Sequence, residues 1–268
     1  MLRVKLSIVH TVVLLAVACG FAACETTPPD TTAGLSPNAI YADAKDAVDA
    51  NQFDKAITLY EKLEARAAGT PLAQQAQLDK AFAQYRNNEP AQAVATLDRF
   101  IKLHPASPAL DYAIYLKGII YFNDNLGLFS ALTRQDLSER DQKASKEAFA
   151  SFKELVVRFP ESRYAPDAAQ RMNYIVASLA QYEVHVASYY YKRGAYLAAA
   201  NRAQMALADY RNVPALEEAL FILFKSYEAL GMQQLSTDAR RVLERSYPDS
   251  EFLTKGAKTK DDPWWKLW

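Results

Sequence analysis

Apolar side chains recur at intervals of three and four residues along most of the chain, which is the period of amphipathic helices. No convincing stretch alternates between apolar and polar residues, as a half-buried strand would. The twelve prolines fall mostly between the periodic stretches, where they punctuate helices rather than interrupt them. The pattern therefore predicts a chain that is nearly all α-helix.

The clearest unit in this pattern is the stretch 186–210. It predicts two helices joined at a turn that contains Gly194, because glycine readily adopts the positive φ found where a helix stops. The second helix carries small residues at Ala198, Ala199 and Ala203. Small residues let two antiparallel helices approach closely, so the stretch reads as one helical hairpin. The same pattern recurs along the chain.

Three helix starts combine a hydroxyl residue with a following proline, at Ser36-Pro37, Thr70-Pro71 and Ser107-Pro108. The hydroxyl is expected to cap the helix N-terminus, and proline suits the first helical position. The successive prolines lie 34 and 37 residues apart. A period of about 34 residues is typical of the tetratricopeptide repeat (TPR), which is a helical hairpin.

A second regularity is a small residue in the middle of each hairpin's second helix, at Ala56, Ala93, Ala148, Ala199 and Ser236. Twelve residues before these positions, the first helices carry Ala44, Ala81 and Ala187, with Phe224 in the last repeat. Tight turns between the two helices are predicted near Asn51, Asn88, Gly194 and Gly231. Five small residues in register support a repeat array rather than an isolated hairpin.

These regularities predict an all-α solenoid of about five TPR hairpins, in which the first helices line a concave face. Stacking is needed because a single hairpin would leave its apolar face exposed. The order Ser138-x-x-Asp141 predicts that a helix restarts after the insertion in repeat three. The predicted repeats are 37–70, 71–106, 107–162 with an insertion at 123–140, 163–212 and 213–250.

Residues 1–23 follow the order of a secretory signal peptide, with basic residues, then an apolar run, then small residues before a cysteine. A membrane-spanning helix is the competing interpretation, although the apolar run is short for one. The residues before Cys24 resemble a bacterial lipobox, in which the cysteine carries the lipid. Cys19 is a second, weaker match. Polar chain begins directly after Cys24, and residues 24–36 are predicted to form a disordered tether.

Composition and motifs argue against several functions. The formal net charge is zero, whereas nucleic-acid binding normally requires a concentrated basic surface. The chain has no HExxH motif, no Cys/His ligand set, no phosphate-binding glycine loop and no G-x-S-x-G elbow. We therefore expect no metal site, no cofactor and no catalytic residue, and we expect a protein that is not an enzyme.

The remaining candidates are binding residues. Tyr112 and Tyr115 in repeat three are expected to pack between helices or to line a groove for an extended peptide. Arg193, Asn201 and Arg202 surround the turn of repeat four. They form either a solvated helix face or a contact to a partner domain, where an arginine would bind a carboxylate through two hydrogen bonds.

The C-terminal stretch, residues 251–268, is a polar linker that ends in three tryptophans at Trp264, Trp265 and Trp268. Tryptophans clustered in this way are rarely left in water. Three interpretations remain open: the tail folds back on the last repeat, docks on a partner, or touches the lipid interface.

The lipobox, the short tether, the five hairpins and the insertion together resemble the BamD family of TPR lipoproteins, over most of the mature chain. The resemblance is carried by Asn38-Ala39-Ile40-Tyr41, Ala56-Ile57, the stretch 97–101, Asp111-Tyr112, Tyr115, Gly118, the stretch 138–141, Arg193-Gly194-Ala195 and Asn201-Arg202. The chain departs from the family at the turn 67–69, at Arg211 and in its Trp-rich tail.

This resemblance implies a scaffold of the β-barrel assembly (BAM) complex, held by its N-terminal lipid at the periplasmic face of the outer membrane. It implies contacts with BamA and other BAM lipoproteins, with Arg193 and Arg202 as the leading contact residues. It also implies that unfolded outer-membrane β-barrel precursors bind the N-terminal half. The alternative is a TPR lipoprotein that tethers other envelope or peptidoglycan-associated proteins.

Overall fold

The structure is a computed structural model that describes residues 32–126 and 142–255. The predicted signal peptide, Cys19, Cys24, most of the insertion, the restart at 138–141 and the tryptophans of the tail lie outside these ranges. Within them, the chain forms helices and no strand, which confirms the predicted all-α class. No helix in the described ranges is both long and apolar enough to cross a membrane.

In the described ranges, eleven helices follow one another, and all but the last form antiparallel pairs. They are α1 (Pro37–Asp49), α2 (Phe53–Arg66), α3 (Pro71–Arg86), α4 (Pro90–Leu103), α5 (Leu110–Leu126), α6 (Gln142–Arg158), α7 (Ala165–Lys192), α8 (Tyr196–Asp209), α9 (Ala215–Ala229), α10 (Gln233–Ser246) and α11 (Glu251–Lys255). Each helix from α1 to α9 packs against the next, α7 also packs against α9, and the short α11 packs against α9. α7 has 28 residues and spans the contact between the third, fourth and fifth hairpins.

Two of the three predicted helix caps are present. The Ser36 hydroxyl accepts a hydrogen bond from the Ala39 amide at 3.2 Å, and the Thr70 hydroxyl accepts one from the Ala73 amide at 3.3 Å. The third prediction is wrong, because α5 begins only at Leu110. The Ser107 hydroxyl donates to Gln74 Oε1 of the preceding repeat at 3.2 Å and accepts from the Ala109 amide at 3.4 Å, one residue before the helix begins. α5 also continues to Leu126, beyond the expected start of the insertion.

The turns inside the hairpins use left-handed backbone where the sequence predicted it. Asn51 and Asn88 have φ of 56° and 62°, and Gly194 and Gly231 have φ of 76° and 72°. Asparagine and glycine are the residues that adopt this conformation at low cost. The four positions end the first helix of repeats one, two, four and five.

The small residues identified from the sequence form the centre of each hairpin. Ser236 is 5% exposed and the alanines are fully buried: Ala44, Ala56, Ala81, Ala93, Ala148, Ala187 and Ala199. In the fifth hairpin, where Phe224 replaces the alanine, the Ser236 hydroxyl donates to the Phe224 carbonyl oxygen at 3.2 Å. In the third hairpin, Gly118 is the small residue of the first helix, and it lies against the ring of Phe152.

Candidate binding surfaces

A cavity of about 530 Å³ opens on the face formed by three successive first helices, α3, α5 and α7. It is lined by Gln75, Leu78, Asp79, Pro108, Ala109, Asp111, Tyr112, Arg163 and Tyr164. TPR arrays present their first helices on the concave side, so this cavity is a part of the concave face. Its lining combines aromatic rings, two carboxylates and one arginine, and it offers both stacking and hydrogen bonds to a bound chain.

Tyr112 lies on the wall of this cavity. Its ring centroid is 5.7 Å from that of Tyr164. Burial, together with the negative charge of Asp79, raises the pKa of Tyr112 to about 12. Next to it, the Arg163 guanidinium lies 4.8 Å over the Tyr164 ring and donates to the Tyr164 hydroxyl at 2.5 Å. The cavity therefore presents a neutral phenol beside a cation.

Tyr115 lies outside the residues that line the cavity. Its ring stacks on Tyr164 with centroids 4.6 Å apart, and its hydroxyl donates to Asp167 Oδ2 at 2.7 Å. Burial opposes ionisation of Asp167, yet hydrogen bonds from Arg171 and Tyr115 lower its pKa below the usual value. Tyr115 thus holds Tyr164 in place from behind, while Tyr112 faces the cavity.

The sequence analysis did not identify several residues of this cavity. Gln75 and Asp79 lie one helical turn apart on α3 and are joined by a hydrogen bond of 3.0 Å. Asp79 also accepts a hydrogen bond of 2.8 Å from the Tyr41 hydroxyl of the first repeat. In the sequence, the only indication of this pair is the four-residue spacing of Gln75 and Asp79 within a predicted first helix, which places both on the same face. Arg163 and Tyr164 precede α7, and nothing in their local sequence indicates a position beside Tyr112.

Two further cavities lie toward the loops between repeats. A cavity of about 560 Å³ shares Gln75, Leu78, Pro108 and Ala109 with it. A smaller one of about 250 Å³ shares Gln74, Leu103 and His104 with the middle cavity. The first two cavities therefore form one groove across repeats two and three, whereas the smallest cavity lies on the side of α3 that carries Ala73 and Gln77, away from Gln75 and Asp79.

The second candidate surface lies on repeat four. Arg193 ends α7, and its guanidinium lies 5.2 Å over the ring of Tyr189. Asn201 is exposed on the outer side of α8. Arg202 Nη1 donates to Glu183 Oε2 at 2.9 Å, and Glu183 is 8% exposed. Arg202 is thus bound within its own hairpin and holds a buried carboxylate.

Two apolar side chains flank Asn201 on the same stripe of α8. Leu197 and Met205 lie four residues before and after it, and they are 58% and 45% exposed. The place of Met205, six residues after the small hairpin residue, holds Lys62, Arg99 and Glu154 in the first three repeats and Val242 in the fifth. This one position therefore changes from charged to apolar between repeats three and four. The change is visible in the sequence but was not among the predicted features.

The helical hairpins in register and the groove along the first helices are the features of a TPR-type binding scaffold. Comparison with known proteins adds the family. The family model described as "Outer membrane lipoprotein", YfiO, matches residues 34–243. Curated relatives that match the chain are named "Outer membrane protein assembly factor BamD".

The relative from Neisseria meningitidis serogroup A is 44% identical over 263 residues, which cover 96% of this chain and 98% of that protein. The relative from Neisseria gonorrhoeae has the same identity and coverage. The relative from Vibrio cholerae is 31% identical and covers 81% of this chain and 90% of its own. The chain therefore belongs to the BamD family of outer-membrane lipoproteins, as the resemblance predicted.

Comparison with solved structures also gave matches. Two structures of a kinesin light chain from Podosopora anserina, built of TPR-like repeats, cover 80% and 81% of this chain at 16% identity. Their TM-scores are 0.36 and 0.34.

Proposed function

We propose that the protein is a non-catalytic scaffold of the BAM complex, anchored by a lipid on Cys24 at the periplasmic face of the outer membrane. The observation that carries this proposal is the 44% identity over 96% of the chain to relatives named as outer-membrane protein assembly factors. Agreement over nearly the whole length supports a shared role for both halves of the solenoid. It also favours this role over the tethering of other envelope proteins.

The groove across repeats two and three binds extended segments of unfolded β-barrel precursors in this proposal. Its two adjoining cavities support an extended chain rather than a compact ligand, because they share Gln75, Leu78, Pro108 and Ala109 and so continue into one another. Tyr112 offers an aromatic ring at the cavity wall, and Arg163, which lies over the Tyr164 ring, offers a cation at the rim. Binding and hand-off then require no chemical step.

The outer face of repeat four binds the periplasmic domains of BamA. Leu197, Asn201 and Met205 form an exposed stripe with apolar ends and a polar centre, which is suited to a protein interface. Arg193 lies at the turn that precedes this stripe and supplies a charge at its edge. Arg202 supports the surface from within, through its bond to Glu183.

Affinity purification of the mature lipoprotein from detergent-solubilised outer membranes tests the proposal. Mass spectrometry is expected to identify BamA, a β-barrel protein with POTRA domains, in a stoichiometric amount. Recovery of peptidoglycan-associated proteins without BamA would contradict the proposal and favour the tethering function instead.

A further inference from the structure

The outer side of α10 carries an apolar stripe that the described part of the chain leaves exposed. Leu235 and Val242 are each 47% exposed, and Met232, the residue that precedes the helix, is 41% exposed. Leu235 and Val242 lie two helical turns apart and therefore share one face of α10. The fully buried Leu243 faces the core of the hairpin, so the stripe is separate from the packed side.

This stripe distinguishes the last repeat from the others. In repeats one to five, the position directly before the small residue of each second helix holds Lys55, Gln92, Glu147, Ala198 and Leu235. The position six residues after the small residue holds Lys62, Arg99, Glu154, Met205 and Val242. Both positions are polar in the first three repeats, and both carry a large apolar side chain only in the fifth. The fifth repeat is also the one that adjoins the C-terminal tail.

The C-terminal tail starts close enough to reach this stripe. α11 ends at Lys255 and is held to the last hairpin by Phe252, whose ring stacks on Phe221 with centroids 5.4 Å apart. The eight residues 256–263 then precede Trp264. Fully extended, eight residues span about 26 Å, whereas the 14 residues of α10 rise by about 21 Å. The tail is therefore long enough to bring its tryptophans to the stripe.

The charges beside the stripe complement those of the tail. Arg241 and Arg245 lie one helical turn apart on α10, next to Val242. Arg241 is 75% exposed and donates to Asp238 Oδ1 at 2.7 Å, and Arg245 is exposed. In the tail, the acidic pair 261–262 comes just before the tryptophans. A tail with its rings on Val242 brings this acidic pair to the two arginines.

We propose that the C-terminal segment 256–268 folds back on α10 and covers the stripe of Met232, Leu235 and Val242 with its tryptophan rings. Burial of the rings drives this contact, because a large aromatic side chain can remove about 150–250 Å² from water. The acidic pair of the tail fixes its direction by pairing with the two arginines of α10. The contact is independent of the proposed role in barrel assembly.

Tryptophan fluorescence tests this contact, because the three tryptophans of the tail are the only ones in the chain. The sample is the mature chain, residues 24–268, with Cys24→Ser so that it carries no lipid and needs no detergent. We expect emission at shorter wavelength and weaker quenching by acrylamide than in a synthetic peptide of residues 254–268. Equal emission and quenching in the chain and the peptide would overturn the proposal. A shift that appears only when detergent micelles are added would also overturn it, in favour of the lipid interface.

Variants of the two apolar stripes locate the contact. Leu235→Glu combined with Val242→Glu is expected to move the emission to that of the free peptide. Helix content measured by circular dichroism should remain unchanged, since both side chains are exposed. The matched control is Leu197→Glu combined with Met205→Glu on α8, which should leave the emission unchanged. If the emission moves in the α8 variant instead, or in neither variant, the tail does not bind α10 and the proposal is overturned.

A charge swap tests the direction of the tail. Asp261→Arg combined with Asp262→Arg should increase quenching by acrylamide, because it places arginines against arginines. Adding Arg241→Glu and Arg245→Glu to the same chain should restore the protection. Quenching that ignores the first exchange, or that the second exchange does not reverse, would overturn the pairing of the tail with these arginines.

Discussion

Gly118 on α5 lies directly against the ring of Phe152 on α6, and a Cβ added to Gly118 would be 2.5 Å from Cε1 of that ring. Phe152 is fully buried, and Tyr115 and Phe122 pack on it with centroids 6.2 Å and 6.3 Å away. The ring therefore has little room to move. The third hairpin depends on a residue without a side chain at this point.

The Gly118→Ala variant is expected to lower the free energy of unfolding. Alanine gains about 1 kcal/mol of helix propensity over glycine, but overpacking a buried ring costs typically 1–3 kcal/mol. We expect a net loss of about 1 kcal/mol in urea unfolding. Gly118→Ala combined with Phe152→Leu should recover most of it, because leucine vacates the space. A Gly118→Ala variant that is more stable than the parent would show that α5 and α6 do not approach this closely.

The pair Arg202–Glu183 makes Arg202 a poor place to test partner binding by charge reversal. Arg202→Glu would face the buried Glu183 with a second carboxylate and remove its hydrogen-bond donor. We expect a loss of about 1–3 kcal/mol in thermal or urea unfolding. Arg241→Glu is the matched control, since Arg241 is 75% exposed in its pair with Asp238 and should change stability by under about 0.5 kcal/mol. Equal stability of the two variants would refute the structural role of Arg202.

The exposed stripe of α8 predicts a binding defect without a folding defect. Leu197→Glu combined with Met205→Glu should reduce recovery of BamA at least tenfold, because it places charge in an apolar contact. The melting temperature should remain unchanged, since both side chains are exposed. Val157→Glu on α6, at a side chain that is 70% exposed, should leave recovery intact. Unchanged recovery in the double variant would remove this stripe from the interface.

The half-buried phenol of Tyr112 predicts a loss of stability in alkali. Burial, and then the negative charge of Asp79, raises its pKa from 10.0 to about 12, so the folded state favours the neutral phenol. The resulting stabilisation is fully present below pH 10 and is lost as the pH rises toward 12. The Tyr112→Phe variant cannot ionise at this position, so its free energy of unfolding should fall less steeply with pH than that of the parent. The two slopes should differ by up to about 1.4 kcal/mol per pH unit. Urea unfolding between pH 9 and 11.5 measures the slopes. Identical slopes would contradict the burial of this phenol.

The sequence predicted the helical hairpins well because the features that define them are local. The small residues at the hairpin centres and the left-handed turns at Asn51, Asn88, Gly194 and Gly231 follow from steric rules over a few residues. The end of the array is also visible in the sequence. The position four residues after the small residue of each second helix is buried in the first four repeats, where it holds Tyr60, Leu97, Phe152 and Ala203. In the fifth repeat the same position holds Arg240. Its side chain is 60% exposed.

The binding surfaces were less predictable because they depend on contacts between distant residues. Glu183 and Arg202 belong to different helices, and Tyr115 bonds to Asp167 across 52 positions of the chain. Helical spacing places Tyr112 and Tyr115 on neighbouring parts of α5 but does not show which one faces the groove. That depends on Tyr164, which stacks on Tyr115 and leaves Tyr112 at the cavity wall.

The most direct test of the proposed assembly function is the amount of folded β-barrel protein in the outer membrane after this protein is depleted. Folded barrels resist SDS and change mobility on heating, so their fraction is read from a gel. The account predicts that this fraction falls as the protein is depleted and that the intact gene restores it, while Tyr112→Ala restores it only in part. An unchanged fraction of folded barrels in fully depleted cells would contradict the account.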